Sequence, residues 1–334
     1  MSGGVDSSVA VMLLKRSGFS PYGIHFIMHG NDSEALSAVK SALRLGIDLN
    51  VSDVRQTFES TVMRYFSDSY LNGLTPNPCV FCNRNVKFKQ LFDFANKSGI
   101  IKAATGHYAV IEKSGDKYFL KKSPNTAKDQ SYVLYSLKHE WLSRLIFPLG
   151  ELTKDDVRSF AEEAGLENAH KSESQDICFI PDGDYAGFIK SFTGISPQEG
   201  DFVSTDGTVI GHHDGMINYT IGQRRGLKTG FCERLYVISK NARTNTVELG
   251  KDCELYKTRL EVSSLNILID EKLPESLKAK VKVRYRMSEQ PATVFFTDED
   301  HAVIEFDEPQ RAFTPGQSAV FYNDDIVLGG GIII

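Results

Sequence analysis

The chain has little of what marks several large protein classes. No apolar run in its 334 residues approaches the roughly 20 residues that a membrane helix needs. Nothing at its start combines a charged lead, an apolar stretch and a small-residue cleavage site. These absences point to a cytosolic protein with no membrane partner. Cysteine is scarce and odd in number: Cys79, Cys82, Cys178, Cys232 and Cys253. Five thiols in a reducing compartment argue against a disulfide framework and leave reactive or metal-binding roles. Positive charge is also short, with 38 Lys and Arg against 43 Asp and Glu, a net charge of −5. Any RNA-binding surface must therefore come from uneven placement of the cations. There is no repeat of fixed period, no low-complexity linker, and no Gly-Lys-Ser/Thr ending of a Walker phosphate loop.

What remains is a soluble globular composition, 41% hydrophobic and 24% charged, in a chain too long for one ordinary core. Residues 1–170 alternate helical and strand patterns, as a parallel α/β sheet does. The pattern predicts a helix after Asp6-Ser7-Ser8, a strand at Tyr22–Ile27, and a helix over Glu34–Leu45 stopping at Gly46. A strand at Ile47–Val51, a long amphipathic helix over Arg55–Leu71 and a turn-rich loop over Asn72–Cys82 follow. Ile100–Thr105 reads as another strand, and Thr153 to Asp156 as a capping box opening a helix that ends near Gly165. After about residue 190 short alternating segments separated by turns predict two small all-β barrels, divided near Cys253–Thr258. The expected domains are 1–190, 191–255 and 256–334.

The opening string Ser2-Gly3-Gly4-Val5-Asp6-Ser7-Ser8 has the chemistry of a phosphate cradle. Glycines let the backbone approach an anion, hydroxyls donate hydrogen bonds, and a helix N-terminus adds partial positive charge. A Gly-Ser turn capped by Asp6 or Ser7 is the plainer reading of such a segment. The whole string, however, resembles the loop of the PP-loop ATP pyrophosphatases, which adenylate a carbonyl oxygen and release pyrophosphate. That fold sets a buried strand before the loop, and here only Met1 precedes it, so a first strand encoded upstream is the expectation.

Cys79-Val-Phe-Cys82 lies in the Pro-rich stretch, and Cys178 in Ser174-Gln-Asp-Ile-Cys-Phe-Ile180. Taken alone, a C-x-x-C is open among zinc, redox and iron–sulfur roles, and Cys232 and Cys253 read as ordinary buried residues. The ordered motifs TPNPCVFCNRNVKF at 75–88, ATGHY at 104–108, KDQSYVLYSL at 128–137 and FPLGELTK at 147–154 add much more. With SQDICFI, IGQRRGL at 221–227, VRYR at 283–286 and the closing TPGQSAVFY and LGGGII, they resemble the tRNA 2-thiouridylases, the MnmA family, over nearly the whole chain.

The resemblance implies thiolation of carbon 2 of the wobble uridine, with ATP and Mg2+ as co-reactants and a cysteine desulfurase or relay carrier as sulfur donor. It places nucleotide contacts at Met1, Ser2, Gly3, Gly4, Val5, Asp6, Ser7, Phe26 and Gly106. Cys178 would carry the persulfide and Cys82 would be the second catalytic cysteine. Asn77, Pro78 and Cys79 fall where the family meets the target base, and His107, Lys128, Asp129, Gln130, Arg284, Tyr285 and Gln317 where it meets tRNA. Many relatives carry Asp at the position of Cys79. With Cys there, a 4Fe–4S cluster on Cys79, Cys82 and Cys178 is an alternative to the persulfide, and no other metal site is expected.

Lys278, Lys280, Lys282, Arg284 and Arg286 alternate with Ala279, Val281, Val283, Tyr285 and Met287. On one continuous strand the cations share a face, a phosphate-binding stripe rather than a merely solvated one. Arg224, Arg225, Arg84 and Lys87 add cations. Other readings are a different PP-loop enzyme, an amidotransferase-type ligase or a 4-thiouridine synthetase, and a non-catalytic RNA-binding relative.

Overall fold

The computed structural model describes residues 1–163, 165, 177–227, 234–269 and 273–334. Cys232 and the first three residues of the SQDICFI motif lie outside the described residues. Helix α1 (Val5–Arg16) follows the opening loop and buries Val9 and Ala10 against Tyr108, Leu149 and Val157. Strands β1 (Gly23–Ile27) and β2 (Leu49–Asp53) pair in parallel, joined by helix α2 (Ser33–Leu45), which ends on Gly46 at φ +61°. A second parallel pair, β3 (Ala103–Ala104) with β6 (Leu145–Ile146), is shorter than the expected Ile100–Thr105 strand. Between them lies the hairpin β4 (Val110–Ser114) and β5 (Lys117–Lys121).

Helix α3 covers residues 55–71 as the periodicity predicts, with one π-helical turn at Glu59–Met63. The expected loop over Asn72–Cys82 is corrected: it stops at Asn77, and Pro78 opens helix α4, which runs over residues 78–97. The same residues that make turns also start helices. The Asn77 side-chain oxygen accepts from the backbone N–H of Cys79 (3.1 Å) and Val80 (3.3 Å), and proline loses nothing at the first helical position. Thr153 and Asp156 form the expected reciprocal cap of the helix Lys154–Glu163.

Among the described residues the second half is all-β apart from the helix Tyr185–Thr193 and two short 3-10 turns. Strands β7 (Gly200–Ser204), β8 (Val209–His213), β9 (Tyr236–Asn241) and β10 (Thr246–Gly250) form a four-stranded sheet of order β8-β7-β10-β9, packed around Phe202, Val237 and Val247. Strands β11 (Tyr256–Ile267), β12 (Ser276–Lys282), β13 (Gln290–Phe296), β14 (Ala302–Arg311), β15 (Ser318–Asn323) and β16 (Ile326–Ile333) follow. Their order β11-β14-β13-β12-β15-β16 is closed by β11–β16 pairing into a six-stranded barrel filled by Val281, Val294, Ile304 and Phe321. Closure leaves no open edge. Cys253, expected to be buried, is exposed in the 3-10 turn Asp252–Leu255 that precedes the barrel.

The basic stripe is also corrected. β12 ends at Lys282, so only Lys278, Lys280 and Lys282 alternate on a strand. Lys280 pairs with Asp324, and the Lys282 ammonium lies over the rings of Tyr132 and Tyr285. Beyond the strand the chain turns, Tyr285 is 39% exposed instead of inward, and the Arg284 guanidinium donates to Ala312 O (2.6 Å) and Thr314 Oγ1 (2.7 Å). A two-residue period predicts a common face only as long as the backbone stays extended.

Candidate active site

A half-open cavity of about 1190 Å³ lies between β1 and β3, with the opening loop at its rim. Loop geometry follows from its glycines. Gly3 sits at φ +76°, and a Cβ there would come within 2.7 Å of Ala38 N. Gly4 is the N-cap of α1 with no side-chain cap, so the first-turn amides are left for an anion. The capping expected of Asp6 or Ser7 in the plainer reading is therefore not seen. Ser7 instead accepts from Ser2 N (3.2 Å) and donates to Gly4 O (3.0 Å), which ties the loop to itself. Met1, Ser2, Asp6 and Ser7 line the cavity, and the Met1 ammonium donates to Ile24 O of β1.

Two other predicted nucleotide residues converge here. Phe26 lines the cavity from β1. Gly106 lies against the loop, where a Cβ would stand 3.1 Å from the Asp6 carbonyl carbon and 3.3 Å from Ser7 N, so only hydrogen fits comfortably. One arrangement escaped the sequence reading. The Asp6 carboxylate accepts from Tyr108 OH (2.9 Å) and from Lys154 Nζ (2.8 Å), which locks the loop to the ATGHY and FPLGELTK segments. Tyr108 is held in turn by Gln130, whose side-chain oxygen accepts the Tyr108 N–H at 2.9 Å.

His107 stacks on Phe88 (5.5 Å between centroids) and meets Phe147 edge-on, with Nδ1 2.7 Å from Thr105 Oγ1. Part of the ring still reaches the cavity, yet loss of water and the nearby Lys87 charge lower its pKa to about 3. It is a neutral imidazole at physiological pH.

The thiols gather at the N-terminal end of α4. Cys82 is buried among Val54, Phe58, Val62 and Val86, while Cys79, one turn earlier, is exposed. Cys178 is exposed to solvent but hemmed in by protein on most sides. That crowding, with Cys79 and Cys82 nearby, pushes its thiol up to about 12. Burial likewise raises Cys79 and Cys82, opposed in both by the Lys87 charge. Phe179 holds the Cys178 segment against α3, edge-on to Phe58 and Phe66 at 5.5 Å each. Sequence reasoning gave Phe179 no role, although an aromatic next to a candidate cysteine was the available signal. Among the described residues no group of three or more His, Cys, Asp and Glu is placed to hold a metal ion, so the thiols as arranged do not fit a cluster.

The predicted tRNA residues fall into two groups. Asn77 spends its side chain on the α4 cap, Gln317 Nε2 donates to Thr75 O (2.7 Å), and Thr75 N donates to Pro315 O (2.8 Å), so the terminal barrel docks on the strap before Cys79. Pro78 is buried and Cys79 exposed at the same corner. Lys128 is half-buried, but Asp129 turns inward, accepting from Ser123 N (3.0 Å), Ser131 N (3.1 Å) and Ser131 Oγ (2.7 Å). Tyr285 OH donates to the Asp129 carbonyl (3.2 Å), which links Arg284 and Tyr285 to this second group. Arg84 is an internal tie to Ser136 O and Asn266, whereas Arg224 and Arg225 are exposed. Among the described residues no helix is long and apolar enough to cross a membrane.

Residues 1–182 match the tRNA methyl transferase HUP domain, 187–251 the tRNA methyl transferase PRC-barrel domain, and 257–333 the aminomethyltransferase beta-barrel domain. The chain is 43% identical over 347 residues to the tRNA-specific 2-thiouridylase MnmA of Clostridioides difficile, covering 100% of this chain and 96% of that one. It is 44% identical over 349 residues to the same enzyme of Acetivibrio thermocellus, covering 100% and 97%. The counterpart from Treponema denticola is 44% identical over 351 residues, covering 100% and 96%. With its HUP domain, its two β domains and this likeness along its whole length, the chain belongs to the MnmA family of tRNA-specific 2-thiouridylases.

Proposed function

We propose that the chain is a tRNA-uridine 2-sulfurtransferase, acting in the cytoplasm, that adenylates the wobble uridine with ATP and replaces its 2-oxygen by sulfur. The observation that carries this reading is the juxtaposition of an uncapped Gly-rich helix start, at the rim of one cavity, with three thiols that feel the charge of Lys87 on the wall of that cavity. ATP binds with its phosphates on the loop Ser2–Ser7 and against Gly106, and its adenine toward Phe26. Asp6 is already held by Tyr108 and Lys154, so Mg2+ arriving with the nucleotide would neutralise phosphate charge without drawing on this carboxylate. Asn77, Pro78, Cys79 and His107 frame the target base, and the barrel residues Arg284, Tyr285 and Gln317 with Lys128–Gln130 bear on the tRNA.

A donor protein leaves a persulfide on Cys178. Its terminal sulfur bonds to carbon 2, and the C–O bond breaks with both electrons going to AMP. The Cys82 thiolate then attacks Cys178 Sγ, the S–S bond of the mixed persulfide breaks, and the thiocarbonyl remains on the base. The two cysteines end as a disulfide, which a dithiol reductant returns to thiols. The burial that raises both thiols keeps them protonated at rest, which guards them until substrate fills the site. The domains follow as 1–190 for adenylation and sulfur transfer, with 191–255 and 256–334 presenting the tRNA.

The test is purified protein with unmodified tRNA, ATP and a persulfide donor, followed by nucleoside mass spectrometry and pyrophosphate release. 2-Thiouridine with stoichiometric pyrophosphate is expected. An amide, 4-thiouridine, or tRNA binding without pyrophosphate would sink the reading, and iron-dependent activity would replace the persulfide route.

A further inference from the structure

Lys87 is the cation of the cavity to which the scheme above gives no task. It is half-buried on the wall that Ser2, Asp6, Ser7 and Gly106 also line. Among the described residues its ammonium meets no carboxylate and no other acceptor. The other positive groups of the lining are engaged: the Met1 ammonium donates to Ile24 O, and Lys102 Nζ to Ser143 O at 2.8 Å. The loop carboxylate, Asp6, is held by Lys154 and Tyr108. A half-buried ammonium without an anion bears a desolvation cost that an arriving anion recovers.

Its position is built by the chain. A π-helical turn, Asn83–Lys87, widens α4 by one residue directly after Cys82. The Lys87 backbone N–H points at the Cys82 sulfur while the side chain reaches the cavity. Its charge is felt by Cys79, Cys82, Cys178 and His107, so Lys87 stands between the thiols and the opening loop.

We propose that Lys87 is a catalytic cation for the nucleotide phosphate: it binds the α-phosphate and takes up the charge that AMP gains when sulfur displaces it. The proposal rests on reading the opening loop as the nucleotide site. In that step the sulfur lone pair forms the S–C bond, and the C–O bond electrons leave on the phosphate oxygen. No proton, oxidant or reductant is required. A fixed ammonium at that oxygen favours the transition state over the adenylate, because the extra negative charge exists only once the bond is breaking.

The test compares the full-length native chain with Lys87→Met and Lys87→Arg, using AMP as the probe in calorimetric titrations at two salt concentrations. Lys87→Met is expected to bind AMP about tenfold more weakly and with a shallower salt dependence. In single turnover it converts preformed adenylate to thiolated tRNA on the order of a hundredfold more slowly. Lys87→Arg keeps the charge and is expected to hold AMP within about threefold of native. Equal AMP affinity and salt slope in native and Lys87→Met, or Arg binding no better than Met, overturns the proposal. A native chain that binds no AMP defeats the nucleotide-site reading itself.

Discussion

Two single residues carry predictions that separate chemistry from stability. Cys178→Ser is expected to reduce tRNA thiolation to background while pyrophosphate release continues, because the proposed scheme assigns adenylation to the loop and not to the thiols. Parallel assays of thiolated nucleoside and pyrophosphate check this, and loss of both together would reject the separation. His107 is buried neutral, with its pKa lowered to about 3 by lost water and by Lys87. A group whose folded-state pKa is depressed contributes stability that is complete above its ordinary 6.5 and declines as pH falls toward about 3. Denaturant titrations between pH 7 and pH 3 are expected to show that slope, and His107→Gln to flatten it. At this scale the opening loop was legible, because glycines, hydroxyls and a helix start sit consecutively. The Asp6–Tyr108–Lys154 lock was not: its members lie 102 and 148 positions from Asp6, and no local pattern joins them.

At the scale of elements, α4 shows how one signal supports two structures. Asn-Pro reads equally as turn and as helix start, and tertiary packing of Val80 and Phe88 against Tyr132 and Leu134 decides for helix. Asn77→Ala is expected to lower stability by about 1 kcal/mol through loss of the cap. Chemical denaturation checks it, with a larger fall in thiolation than stability accounts for if the cap also aims Cys79. The Cys178 segment depends on Phe179 for its hold on α3. Phe179→Ala is expected to cost about 3 kcal/mol, and to slow sulfur transfer more than pyrophosphate release. Equal slowing of the two would reject Phe179 as the anchor of Cys178. The strand period of residues 278–287 was legible only to Lys282, since nothing in the alternation announces the turn after it.

Across the whole molecule, the division into α/β and all-β halves was visible in the change of period near residue 190. Barrel closure and the docking of its loop on Thr75 were not, because strand pairing over long separations leaves no local trace. Arg284 sits where these surfaces join. Arg284→Ala removes bonds to Ala312 and Thr314, so it is expected to lower stability by about 1–2 kcal/mol as well as to weaken tRNA binding. Binding measured against salt distinguishes the roles: a slope reduced by about one marks a lost phosphate contact, and an unchanged slope marks a purely internal residue.

The hairpin β4–β5 belongs to the catalytic half by sequence, yet Lys121 pairs with Ile326 on β16, and Tyr132, Leu134 and Tyr135 share one core with Val320, Tyr322 and Val327. The α/β half and the terminal barrel are therefore one structural body, interrupted in sequence by the four-stranded sheet of residues 200–250. On a ribosome, the residues that line the cavity beside the opening loop emerge well before the strands of the terminal barrel. The early half must wait, partly assembled and with apolar surface open, until the final strands leave the exit tunnel, and chaperone dependence should be concentrated in that interval.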